Sequence, residues 1–136
     1  MELDELEKLI PTLRFGGRVS VRSVGGTEPL NVTLGIGDGG RGQKLEITSR
    51  WTPYVVIRSK VCAVDDLPGD DPLSWMLTEN AGSGLGAIVV RGRSVWIEMV
   101  LLADYVDRPE LALAIEAVGL EADRLEAKMS EGRDRY

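Results

Sequence analysis

Apolar residues recur along this chain with two periods, about 3.6 and 2, and each switch between them marks an element boundary. From Met1 to Leu13 the spacing is helical. Leu3, Leu6, Leu9, Ile10 and Leu13 share one face, with acids early and Lys8 and Arg14 late, as a helix dipole favours. Pro11 predicts that the regular helix stops or kinks near Leu9 or Ile10. Gly16-Gly17 interrupt the chain, and the period drops to two. Arg18 to Val24 alternates with Val19 and Val21 inward, Gly25-Gly26 make a turn, and Leu30, Val32, Leu34 and Ile36 form a clean half-buried strand. Leu45 and Ile47, continued to Trp51, mark a third strand, and Tyr54 to Val64 a fourth. In the fourth, Val55, Ile57 and Val61 are expected on one face and Tyr54, Val56, Arg58, Lys60 and Cys62 on the other.

The second half carries the strongest signals. Asp71 before Pro72 reads as an N-cap with proline in the first turn, opening a helix through Leu73, Trp75, Met76 and Leu77 that Asn80 and Gly82 stop. Helical spacing groups Leu73, Met76 and Leu77 and projects Trp75 to the opposite side, so this short helix should be covered on both sides, either by Trp75 folding over a neighbouring loop or by a dimer or partner contact. Leu85 to Leu101 holds two β-branched runs joined at Gly92-Arg93, a hairpin whose turn needs φ > 0 at Gly92. Pairing across it sets Val90 by Val95, Ile88 by Ile97, Val89 by Trp96 and Ala87 by Glu98. Finally Asp107 and Glu110 resemble a capping box with Pro109 in the first turn, and Leu111, Ile115, Val118, Ala122, Leu125 and Met129 draw one stripe of a long amphipathic helix. Leu113, Ala117 and Leu120 are expected to widen that stripe.

Composition narrows the functional classes. At 136 residues the chain is expected to form a single domain, residues 1–136, with a full core. A net charge of -6 argues against nucleic acid or an anionic membrane as partner, since both reward Lys and Arg. An acidic start, Glu2, Asp4 and Glu5, is the reverse of a signal peptide, and a lone Cys62 excludes an internal disulfide; both suit a cytoplasmic protein.

Candidate chemistry is thin. There is no His, no paired-cysteine metal spacing, no nucleophile elbow and no dinucleotide fingerprint, so neither a cofactor nor a metal is expected. Gly35 to Gly42 holds five glycines, yet Lys44 to Thr48 alternates like a strand where a phosphate loop needs a helix; a flexible hairpin loop is expected. Asp65, Asp66, Asp70 and Asp71 lack the spacing of a calcium loop. Glu98 interrupts an apolar strand face and is expected either as the polar edge of a contact surface or in an ion pair with Arg58 or Lys60. The balance points away from an enzyme.

The residues Trp75-Met76-Leu77 to Asn80-Ala81, Leu85-Gly86-Ala87, Val95 to Leu102, Asp107 with Glu110-Leu111, and Glu121-Ala122-Asp123 with Leu125 resemble the pattern of type III secretion chaperones and the related YbjN-like (CesT-type) proteins. The resemblance covers roughly the C-terminal half. It implies an α+β fold: an antiparallel sheet of about five to six strands with helices packed on it, in the order α-β-β-β-β-α-β-β-α. It also implies an acidic, cytoplasmic, bacterial homodimer that binds protein or peptide clients without chemistry. The chain departs from the family in its strand pair Arg18 to Ile36 and its Gly-rich loop, where that pattern is more compact. The residues themselves point the same way. Tyr54, Val56, Val89, Trp96 and Val100 on one sheet face, together with Trp75, are the expected partner contacts, because large apolar side chains without cover mark interaction surfaces. The alternatives are a regulatory accessory protein of signal transduction that binds one folded partner and, more distantly, a carboxylate-based enzyme.

Overall fold

A computed structural model describes residues 2–49, 53–82 and 85–130; the expectation for Trp51 lies outside them. The elements run in the order α1 (Leu3–Leu9, continued by a 3-10 turn Ile10–Thr12), β1 (Val19–Gly25), β2 (Leu30–Ile36), β3 (Arg41–Thr48), β4 (Tyr54–Ala63), a 3-10 turn Val64–Asp66, α2 (Pro72–Gly82), β5 (Ala87–Arg91), β6 (Ser94–Leu102) and α3 (Arg108–Ser130). The strands make one antiparallel sheet in the order β1-β2-β3-β4-β6-β5.

Pro11 ends α1 where proline must, and Leu6 and Ile10 are fully buried. The β5–β6 register is the one the hairpin pattern predicts, from Ala87 opposite Glu98 to Val90 opposite Val95. Gly92 has φ +61 while, among the described residues, no non-glycine residue has positive φ, which selects the II′ turn over I′. Asp71 Oδ1 accepts from Ser74 N at 3.1 Å and Asp107 Oδ1 from Glu110 N at 2.8 Å, so both expected caps form.

The core is one layer between the sheet and its helices. Leu111, Ile115, Val118, Ala122 and Leu125 of α3 are fully buried against Leu34, Leu45, Ile57 and Ile97. The stripe widens differently from expectation: Ala114 is buried and Leu113 is 53% exposed. Gly119 lies so close to β2 that a Cβ there would sit 2.6 Å from Leu34 Cδ1. α2 runs beside α3, tied to it by Glu79, which accepts from Lys128 and Arg124. Its Asn80 accepts from Ile88 N at 2.6 Å, occupying a peptide group of the edge strand β5.

Two facings differ from the sequence pattern. In α2, Trp75 and Met76 pack partly buried on the core while Leu73 and Leu77 are 61% and 62% exposed, because α2 lies along the sheet edge and must turn one side to α3. In β4 a bulge between Lys60 and Cys62 inserts Val61, so Cys62 turns inward opposite Val95 and is 2% exposed.

Candidate functional site

α3 contacts β3, β4 and β6 through the buried face, and α1 and α2 join the same core, so all three helices lie on one side of the sheet. Among the described residues nothing covers the other side. Strand alternation decides which side chains emerge there. Antiparallel register stacks them in rows: Tyr54 opposite Leu102, Val56 opposite Val100, Arg58 opposite Glu98, and Lys60 opposite Trp96, which Val89 flanks from β5. Five of the six expected contact residues, Tyr54, Val56, Val89, Trp96 and Val100, therefore share this face. Trp75 does not; it belongs to α2 on the helical side. Leu102, which the sequence pattern left unremarked, completes the group by simple period-two continuation from Val100.

The face is divided along the strands. At one end Tyr54, Val100 and Leu102 are 44%, 54% and 48% exposed around a buried Val56. Thr48 of β3 borders them and donates its hydroxyl to Glu28 from the β1–β2 turn. A belt of ion pairs comes next. Arg58 donates from Nε and Nη2 to Glu46 Oε1, at 3.2 and 2.9 Å. Glu98, only 5% exposed, accepts both forks of Arg91 at 2.9 Å. Glu98 thus pairs with Arg91 of the adjacent hairpin strand and not with Arg58 or Lys60, because Glu46 already holds Arg58. The Arg58 guanidinium also stacks over the Trp96 ring, 4.6 Å from its centroid, and the indole Nε1 is buried with no hydrogen-bond partner among the described residues.

Beyond the belt lies a cationic end. Lys60 and Lys44 come one alternation after Arg58 and Glu46 on β4 and β3, past the last paired row of those strands. Arg22 of β1 reaches over β2 to β3. Its Nε lies 2.9 Å from where a Gly35 Cβ would be, and its Nη1 3.0 Å from that of Gly42. Gly35 and Gly42 are strand partners, and the loop proper is only residues 37–40. These two glycines, expected to be loop residues, instead leave a groove for the Arg22 side chain.

Where β3 and β4 diverge, side chains replace the missing ladder on the helical side. Ser59 Oγ donates to the Lys44 carbonyl at 2.7 Å, and Gln43 Nε2 donates to Ser59 Oγ at 2.8 Å and to Glu126 Oε1 at 3.0 Å. A cleft of about 500 Å³ opens there, lined by Lys44, Lys60, Cys62, Asp66 and Glu126 among others. Burial is the main cause that raises the Glu126 carboxyl above its ordinary range, and burial pushes the Cys62 thiol up to about 11. A thiol held protonated is a poor nucleophile. Among the described residues no three metal-capable side chains converge, and no helix is long and apolar enough to cross a membrane.

No family model matches this chain, and no curated protein matches it. Seven solved chains match it in three dimensions. One belongs to the crystal structure of the ExsC–ExsE complex, with a TM-score of 0.60 and 15% identity over 95% of this chain and 97% of that one. At that identity the likeness is one of fold, and the fold is the expected α+β arrangement of an antiparallel sheet with helices packed on it.

Proposed function

We propose that this protein is a non-enzymatic chaperone or adaptor that holds a segment of another protein on the bare face of its sheet. The observation that carries the reading is the exposed cluster Tyr54, Val100 and Leu102 on two central strands with no helix over it. Apolar surface in the middle of a sheet costs about 25 cal/mol per Å² while it faces water, and a partner recovers that free energy. The fold supports a protein partner, since its likeness in the ExsC–ExsE structure is part of a complex. The buried thiol and the paired carboxylates Glu46, Glu79 and Glu98 support binding over chemistry, for each is already engaged or shielded.

Self-association belongs to the same reading, on a different surface. Glu79 is the one charged residue of α2, and it is buried against α3. The outer side of α2, with Leu73 and Leu77, therefore offers a second copy of an acidic chain an uncharged apolar surface.

Short extended peptides selected from a random library test the client site. Backbone chemical shifts on titration should move at Tyr54, Val56, Val100 and Leu102. The triple variant Tyr54→Ser, Val100→Thr, Leu102→Thr should weaken binding about tenfold or more while its thermal midpoint stays within a few degrees. A library that yields only ligands of other surfaces, or none, overturns the proposal.

A further inference from the structure

We infer that the segment accepted by the bare sheet face is apolar at one end and acidic at the other, with its acids lying over Arg22, Lys44 and Lys60; this rests on the binding reading above. The chain as a whole carries -6. Its bare face has the opposite balance. Strand positions there bear five cations, Arg22, Lys44, Arg58, Lys60 and Arg91, and the carboxylates are Glu28, Glu46 and Glu98. All three carboxylates are engaged, Glu28 by Thr48, Glu46 by Arg58 and Glu98 by Arg91. Arg22, Lys44 and Lys60 form no ion pair among the described residues. Three cations without an ion pair thus gather at one end of the face, on three different strands, although Lys44 and Lys60 also line the cleft shared with Asp66 and Glu126. Gly35 and Gly42 keep Arg22 directed toward the other two by leaving its path clear.

The two ends are a fixed distance apart. Tyr54 and Lys60 stand six positions apart on β4, about 20 Å at the rise of an antiparallel strand. An extended ligand that sets its apolar side chains among Tyr54, Val56, Val100 and Leu102 thus reaches the cations about six residues later. The belt of Arg58, Glu46, Glu98 and Arg91 between them is internally neutral and selects no charge. The same arithmetic excludes a second copy from this face. Two copies related by a two-fold axis would bring cations to cations or bury them on the partner's apolar end, and both cost free energy without compensation.

The experiment uses three synthetic peptides of equal length: apolar residues followed by Asp and Glu, the same peptide with Lys at the acidic positions, and the acidic peptide in reversed order. The whole chain is titrated with each, monitored by fluorescence anisotropy and by chemical shifts. The acidic peptide, in one of its two orders, should bind at least tenfold tighter than the Lys peptide, and the advantage should shrink as salt rises. The double variant Lys44→Glu, Lys60→Glu, at exposed positions, should reverse the preference. Equal binding of acidic and Lys peptides at Tyr54 and Leu102 overturns this inference and leaves the binding reading standing. Shifts that avoid the bare face for all three peptides overturn both.

Discussion

Single residues set the tolerances of this molecule. Gly119 faces the sheet from the middle of α3, and a methyl group there meets Leu34, itself fully buried. Alanine favours a helix over glycine by up to about 1 kcal/mol, while overpacking a closed core costs about 1 to 3. Gly119→Ala is therefore expected to lower stability by about 1 kcal/mol in urea unfolding; an unchanged or higher midpoint would mean that Leu34 moves aside freely. The facing of Trp75 teaches the complementary lesson. Helical spacing correctly sets it apart from Leu73 and Leu77 but wrongly groups Met76 with those leucines, and which side of a helix is inner depends on where the helix docks. Docking beside α3 turned Trp75 toward the core and the leucines toward water.

At the scale of elements, α3 holds two carboxylate contacts that respond oppositely to pH. The Glu79 carboxyl is held below its ordinary range, first by its hydrogen bond from Lys128. Its contribution to stability is thus present above the unfolded value and lost as pH falls. The Glu126 carboxyl is raised by burial, so its contribution is present when it is protonated and is lost as pH rises through the folded value. Glu79→Gln should consequently destabilise at pH 7, with a deficit that has begun to shrink by pH 4 and closes only below the folded value. Glu126→Gln, which keeps an acceptor for Gln43, should raise the urea midpoint at pH 7 and lose that advantage near pH 4. Parallel unfolding curves at the two pH values check both signs, and equal effects of the two variants would refute the assignment.

Over the whole molecule, placing every helix on one side of the sheet leaves two unlike apolar surfaces, the sheet's bare face and the outer side of α2. Their separation has a direct consequence. Leu73→Glu with Leu77→Glu should convert a dimer to a monomer in sedimentation velocity and leave peptide binding on the sheet face within about twofold. A parent protein that sediments as a monomer at tens of micromolar would remove the α2 surface from the reading without touching the client site.

The chain's own pattern determined the element order, the caps of α2 and α3, the β5–β6 register and the α3 stripe. Each rests on periodicity and hydrogen bonds between residues close in sequence. It also grouped Tyr54, Val56, Val89, Trp96 and Val100, because alternation decides which side chains share a strand face. Tertiary structure alone decided which sheet face the helices cover, which side of α2 is inner, that the Val61 bulge turns Cys62 inward, and that Arg91, not Arg58 or Lys60, reaches Glu98. It alone also brought Arg22, Lys44 and Lys60 to one end of the bare face, through β1, β3 and β4 lying in one sheet with Gly35 and Gly42 opening the way. These outcomes depend on contacts between residues far apart in the chain, and such contacts are selected by the free energy of packing the whole molecule, which no local period encodes.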